Sequence, residues 1–276
     1  VEDKVQESPE KPSESAKTYF DLQAGWGITK HFGDLRATQE LAAECHVGTD
    51  SYVLVVGCGV GITPCYLAKQ HGCRVVGVDL SQEMVDRSNE RAKKQDVQDL
   101  VEFRQADAQE LPFGDSLFDA VMCESVNAFI SDRIKAAREY ARVVKPGGYV
   151  GVNECVWVEP PPPGMVDYMW RVMGAEFFSS HEGWKELLET CGLSEVVEMI
   201  HTTNTLSQWS GEVRQMEFRE MASAYLRFPL QCIRNPACRR FAREALRMPR
   251  GIFRMFKYFG YGLYVGRKPG KTAGAS

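Results

Sequence analysis

The chain has no stretch approaching the ~20 apolar residues that a membrane-spanning helix requires, so a helical membrane protein is not expected. Its nine cysteines, at 45, 58, 65, 73, 123, 155, 191, 232 and 238, include no CxxC pair and no regular framework. That excludes the common thiol-zinc and dithiol redox motifs, and a chain this long needs no disulfide staples. Reduced thiols, a cytoplasmic location and no bound metal are the expectation. An excess of positive charge is missing too: 33 Lys+Arg against 37 Asp+Glu leave a net charge of −4, which gives no global attraction for nucleic acid. No repeat of fixed period appears.

With 276 residues, 44% of them hydrophobic, the chain can bury one large core with an appended subdomain. Residues 1–17 are charged and rich in Pro and Ser, without the apolar stretch of a secretory signal, and read as a flexible tail. A helical pattern at Leu35, Leu41 and Ala42, with Asp34 as a candidate N-cap, precedes the strand Tyr52 to Val56. This β-branched run has the look of a strand covered on both faces. Alternation follows: helix Ile62 to His71 stopping at Gly72, strand Arg74 to Val78, helix Ser81 to Gln95, then strands Leu100 to Arg104, Phe118 to Met122 and Tyr149 to Asn153. An amphipathic helix from Asp132 to Val143 separates the last two and is closed by Lys145-Pro146-Gly147-Gly148. Ser179 to Glu182 resembles a capping box opening a helix from Gly183 to Thr190, ended by Gly192 and followed by a strand near Val196 to Ile200.

This order predicts an α/β, Rossmann-like doubly wound sheet, mostly parallel with a final antiparallel strand, plus a helical insertion. The expected division is a tail at 1–17, a core with an N-terminal cover at 18–205, the insertion at 206–257, the last core strand at 258–267 and a tail at 268–276. The insertion holds 11 Lys/Arg against 4 acids, a local +7 that leaves −11 for the rest. Its arginines interleave with Phe241, Leu246, Ile252, Phe253 and Phe256, a pattern suited to a lid or to peripheral contact with a membrane surface. A solvated helix packed on the acidic remainder has the same pattern. Met165, Met169 and Met173 recur at helical spacing and read as packing.

Gly57-Cys58-Gly59-Val60-Gly61 forms a glycine turn between a buried strand and a helix, where a ligand can approach the backbone. Asp79, 22 residues beyond Gly57 at the end of the next strand, is placed to accept from both hydroxyls of a ribose. Asp107, after the third strand, can accept from an adenine amino group. Three elements in register make a nucleoside site, whereas the glycines alone would be equally at home in a structural turn. At the end of the fourth strand lies Cys123-Glu124-Ser125-Val126-Asn127-Ala128-Phe129, where ligands of open α/β sheets bind. Glu124, the candidate acid or base, and Asn127 are the candidate acceptor contacts there, with Phe129 a further candidate substrate contact. Glu124 closing a strand and Asn127 capping a loop are the competing structural roles. His31 is the candidate catalytic histidine, with a structural histidine as its alternative.

These motifs resemble those of small-molecule methyltransferases of the ubiquinone/menaquinone, tocopherol and sterol type, over roughly Tyr19 to Leu193. The first motif of that family is matched at Val53 to Gly61, its second-strand acid at Asp79, its adenine-side motif at Asp107 to Phe113 and its late turn at Lys145 to Gly148. The resemblance implies S-adenosylmethionine as cofactor, with Gly57, Gly59 and Gly61 flanking the methionine moiety; Cys58, in the same turn, and Glu124 are counted with the candidate cofactor-binding residues. Asp79 would then hold the ribose, Leu80 and Met84 border the adenine, and Asp107 with Ala108 face its edge. It also implies a cover from Tyr19 and Trp26 to His31 over cofactor and substrate. Methyl transfer to a small, largely apolar acceptor is the leading expectation. Methylation of a small polar amine or hydroxyl metabolite and a catalytically silent cofactor-binding protein remain alternatives. A nicotinamide-dependent oxidoreductase is disfavoured, because Ile62 stands where GxGxxG places its last glycine.

Overall fold

The computed structural model describes residues 31–176, 178, 180–202, 232–233, 236–247 and 257–270. The cover residues Tyr19 and Trp26, residues 1–17 and most of the insertion lie outside the described residues. The elements in chain order are α1 (Asp34–Glu44), β1 (Tyr52–Val56), α2 (Ile62–His71), β2 (Arg74–Asp79), α3 (Gln82–Gln95), β3 (Val101–Gln105) and β4 (Phe118–Glu124). A 3-10 turn (Asn127–Phe129) follows, then α4 (Arg133–Val143), β5 (Val144–Trp157), α5 (Met165–Met173), α6 (Glu182–Thr190), β6 (Ser194–Thr202), α7 (Pro236–Leu246) and β7 (Phe259–Arg267).

The seven strands lie in the order β3-β2-β1-β4-β5-β7-β6. β1, β2, β3, β4 and β5 pair in parallel. β7 inserts antiparallel between β5 and β6, as the α/β reading expected. Successive residues of β1 feed two separate cores. Val53 and Val55 meet Leu41, Cys65 and Val85 of α1, α2 and α3, while Leu54 and Val56 meet Ala136, Tyr140, Trp184 and Leu187 of α4 and α6. β4 repeats the alternation with Ala120 and Met122 on one side and Val121 and Cys123 on the other. Period-two burial on both faces is why these strands are apolar without interruption.

Several ends follow local chemistry. Ser81 caps α3 by accepting from the Met84 N–H, and Asp132 caps α4 by accepting from Lys135 N–H. At α1 the N-cap place goes to Gly33, in the left-handed region at φ 81°. Asp34 is the first helical residue and still captures the Arg36 N–H at 2.9 Å. Of the capping box expected at Ser179 to Glu182, Ser179 lies outside the described residues; the N-cap of α6 is His181, which makes no side-chain capping bond. Instead His181 Nδ1 lies 2.6 Å from Glu198 Oε1. The turn at Lys145 to Gly148 is a second departure from expectation. Val144 already pairs with Phe118, and pairing resumes at Tyr149 with Ala120, so the four residues bulge out of a strand that had begun.

Met165 and Met169 are buried in a cluster with Trp157, Tyr168, Val172 and Phe259, as their spacing suggested. Phe32 and, from α7, Phe241 pack against it. No helix among the described residues is long and apolar enough to cross a membrane. None of them gathers three metal-ligating side chains.

Candidate functional site

The carboxyl ends of β1, β2 and β4 deliver Gly57, Asp79 and Glu124 to one edge of the sheet. Gly57, Gly59 and Gly61 all adopt positive φ, at 67°, 54° and 79°, a region that costs an L side chain energy. Space is closed as well. A Cβ on Gly57 would come within 2.2 Å of Val126 Cγ2, and one on Gly61 within 3.0 Å of the Ser88 backbone. Three further bonds fix the turn: Asp79 Oδ2 accepts from Gly59 N–H at 2.9 Å, Ser88 Oγ donates to the Gly59 carbonyl at 2.8 Å, and Arg91 Nε donates to the Val60 carbonyl at 2.8 Å. The Cys58 side chain is buried towards Ser88, and burial pushes its thiol pKa well up.

Asp79 Oδ1 accepts from the Ser81 N–H at 3.0 Å. Burial raises the Asp79 pKa against the opposing pull of the Ser81, Gly59 and Leu80 backbone. Next to it Leu80 is 59% exposed, an apolar side chain at the surface, and Gln105 Nε2 fastens its carbonyl at 2.9 Å. Asp107 accepts from the Gln109 N–H at 2.8 Å in the turn beyond β3. Ala108 and Met84 both lie below the surface. Met84 packs on Val60 beneath the glycine turn and Ala108 sits in the core beside Leu111, so each shapes the floor from behind. The 107–113 segment is tied down by a pair that sequence reasoning missed. Glu139 accepts from the Leu111 N–H at 2.8 Å, and Arg142, bound to Glu139, donates to the Leu111 carbonyl at 3.1 Å.

Glu124 is buried and accepts from two threonines, Thr38 Oγ1 on α1 at 3.0 Å and Thr63 Oγ1 on α2 at 2.6 Å. His31 Nε2 donates to the Asp34 carbonyl at 2.9 Å, stands 3.2 Å from Thr38 Oγ1 and 3.9 Å from Glu124 Oε1. The carboxylate and imidazole named from sequence are thus brought together, with Thr38 between them. Asn127 takes the other course. It is 1% exposed, its Oδ1 accepts from the Tyr140 hydroxyl at 3.0 Å, and its Nδ2 reaches Cys123 Sγ at 3.2 Å and Glu154 Oε1 at 3.1 Å. Its side chain anchors the loop from inside instead of facing a substrate. Phe129 is half-buried against the α4 side of the core.

A different hollow of about 490 Å³ lies at the amino ends of the strands, lined by Gly48, Asp50, Asp119, Lys145 and Gly147 among others. Its Lys145 is paired with Asp119 at 2.7 Å, and ligands of open α/β sheets bind at the other edge.

Residues 54–152 match the methyltransferase-domain family. Over nearly its whole length the chain is similar to 27-O-demethylrifamycin SV methyltransferase of Amycolatopsis mediterranei, with 30% identity covering 94% of this chain and 98% of that one. The chain belongs to the S-adenosylmethionine-dependent methyltransferases. It is also similar to 2-methyl-6-phytyl-1,4-hydroquinone methyltransferase of Synechocystis, 34% identical over 59% of this chain and 53% of that one. Among solved structures, the [4+2]-cyclase SpnF superposes with a TM-score of 0.73 at 22% identity, covering 95% of this chain and 98% of that one. That likeness concerns the fold alone.

The methyltransferase's own geometry fits its cofactor. Backbone without side chains at Gly57 and Gly61, an acid seated at the end of β2, and an exposed leucine beside that acid are what a nucleoside with a methionine tail requires. Asp79→Ala is expected to weaken S-adenosylhomocysteine binding by about 1.5–3 kcal/mol, the range for bonds to a charged group. Calorimetric titration measures it, and unchanged affinity would remove Asp79 from the site. Gly57→Ala forces a Cβ into Val126 at positive φ. It should lower both stability, by about 1–3 kcal/mol, and cofactor affinity; a variant melting and binding like the parent would contradict the close approach.

Proposed function

We propose that this methyltransferase transfers its methyl group to a hydroxyl oxygen of a small-molecule, mostly apolar acceptor, with His31 taking the hydroxyl proton. The observation that carries the reading is the apolar cluster adjoining the Glu124–His31 pair. Phe32, next to His31, packs edge-on against Phe259 at 5.2 Å, and Phe259 against Trp157 at 5.0 Å. Behind them stand Met165, Tyr168 and Met169 of α5. These side chains are buried, so they make the ground beneath Phe32 apolar and adaptable without lining the site themselves. The relatives named for 27-O-demethylrifamycin SV and for a phytyl hydroquinone support an acceptor of this kind.

S-adenosylmethionine, when bound, supplies a methyl carbon on a positively charged sulfur that leaves neutral. The protein's part is alignment and exclusion of water, for which effective molarity can supply roughly 7–11 kcal/mol. Glu124, oriented by Thr38 and Thr63 beside the glycine turn, would hold the cofactor's ammonium and stands 3.9 Å from the imidazole of His31. Asp79 takes the ribose hydroxyls, while Leu80 and the Asp107 turn border the adenine. Phe129 completes the acceptor side in this reading, and Tyr19 and Trp26, the other candidate contacts, lie outside the described residues.

The insertion acts as a lid in this reading, supported by Phe241 of α7 packing against the α5 cluster. A cytoplasmic enzyme with peripheral membrane contact belongs to the same proposal. Ile233 and Leu246 are exposed at 73% and 79% beside exposed Arg239 and Arg243. Cosedimentation with anionic lipid vesicles tests that contact, and absence from the pellet at low salt would exclude it.

Labelled S-adenosylmethionine offered with a prenylated hydroquinone, a macrocyclic polyketide alcohol, sarcosine and phosphoethanolamine tests the acceptor. Label in the organic phase is expected. Turnover confined to the two amines would overturn the apolar reading and leave the methyltransferase assignment standing. The sarcosine/dimethylglycine N-methyltransferase of Halorhodospira halochloris, 28% identical over 63% of this chain and 62% of that one, is the relative such a result would favour.

A further inference from the structure

Glu154 sits in β5, paired through its backbone with Gly262 of β7, and is 0% exposed. One of its oxygens, Oε1, accepts three N–H bonds from a single loop: Val126 N at 2.9 Å, Asn127 N at 2.7 Å and Asn127 Nδ2 at 3.1 Å. The other, Oε2, is buried and has no hydrogen-bond partner among the described residues. Arg133 grips the opposite side of the same loop, donating from Nε to the Asn127 carbonyl at 3.0 Å and from Nη2 to the Ala128 carbonyl at 3.4 Å. Between them, the N–H groups go to Glu154 and the carbonyls to Arg133. This loop leaves β4 directly after Glu124, turns at Ser125 with φ 57°, and carries Val126 against Gly57 of the cofactor turn.

We propose that Glu154 is a positioning residue, whose carboxylate clamps Val126 and Asn127 from beneath and thereby sets the loop joining the cofactor turn to the acceptor side. The clamp is charge-dependent, because an ionised acceptor forms hydrogen bonds roughly twice as strong as a neutral one. Burial raises the Glu154 pKa to about 7, against the pull of the Asn127 and Val126 amides and of Arg133. The grip therefore tightens as pH rises through that value. The titratable and charged groups around Glu154 are Cys123 on β4, Cys155 beside it on β5, Tyr264 on β7, and Arg133 and Tyr140 on α4. Burial raises the pKa of both thiols and both phenols and keeps them neutral near pH 7, so Arg133 is the charged partner among them. His31, at 3.9 Å from Glu124, is a further titratable group near the loop's start.

The test is hydrogen–deuterium exchange of the 121–132 region in the full chain saturated with S-adenosylhomocysteine, from pH 6 to 8, corrected for the intrinsic rate. Wild-type protection is expected to rise about ten-fold with a midpoint near 7, and Glu154→Gln, which cannot ionise, to show no such rise. A flat wild-type profile would overturn the clamp, as would a Glu154→Gln profile with the rise intact, which would assign the rise to a group other than Glu154. Should Glu154→Gln fail to fold, the wild-type titration together with His31→Gln decides: a rise that survives in His31→Gln supports Glu154, and one that vanishes overturns it. The clamp rests on the site as read above, but exchange needs no acceptor, so a failed acceptor panel and a failed clamp are separate results.

Discussion

His31→Ala is expected to lower kcat by roughly 10²–10⁴-fold, the usual contribution of a positioned general base, while S-adenosylhomocysteine binding changes little. The expectation comes from placement. The imidazole is fixed by the Asp34 carbonyl at 2.9 Å and stands near Thr38 and Glu124, whereas the ribose acid and glycine turn are held by Asp79, Ser88 and Arg91. A neutral hydroxyl is a poor nucleophile until its proton leaves, so loss of the base falls on the chemical step and not on cofactor affinity. Single-turnover methyl transfer at saturating cofactor, measured with the acceptor found by the labelling panel, isolates that step. His31→Gln retains a donor for the Asp34 carbonyl and serves as the control for folding of the α1 entry. If both variants turned over at the parental rate, His31 would be structural and the acceptor would ionise without it. An amine acceptor, neutral at high pH, would show the milder loss that alignment alone explains.

The glycine turn was legible because its φ values admit almost nothing else, and Asp79 because the end of β2 is where a Rossmann-like sheet places an acid. From the sequence, Ser81 and Asp132 are only the first residues of their helices, and the structure makes each of them the N-cap instead. What the sequence did not disclose is mostly long-range. Thr38 and Thr63 meet Glu124 across 86 and 61 residues, and nothing in a helix pattern marks a threonine as a carboxylate ligand. Asn127 was readable as either a loop anchor or a substrate contact. The choice was made by Tyr140 and Glu154, which reach it only once α4 and β5 are packed. The onset of β5 was obscured because Pro146 and two glycines look like a terminator, yet Val144 had already joined the sheet. A local signal for Glu154 did exist. An acid within the apolar run Val150 to Trp157 of a central strand has to be buried, and buried acids require partners.

That burial has a thermodynamic consequence opposite to the usual carboxylate. Between the ordinary glutamate value of 4.5 and about 7, the unfolded chain releases the Glu154 proton while the folded protein retains it. The unfolded state then binds fewer protons, so this residue's contribution to stability falls as pH rises through that window and levels off above it. A difference of this size corresponds to about 3 kcal/mol. Glu154→Gln carries no such titration, although its amide places donors where Oε2 finds no partner among the described residues, so its absolute stability is set by two opposing effects. The pH dependence is free of that complication. The stability of Glu154→Gln relative to the parent should rise by about 3 kcal/mol from pH 4.5 to pH 8, measured by urea unfolding at each end. Parallel pH profiles for the two proteins would show that Glu154 ionises in the folded chain as it does in water. The same charge that firms the loop at high pH weakens the fold beneath it, as expected where a site holds strain that its surroundings must support.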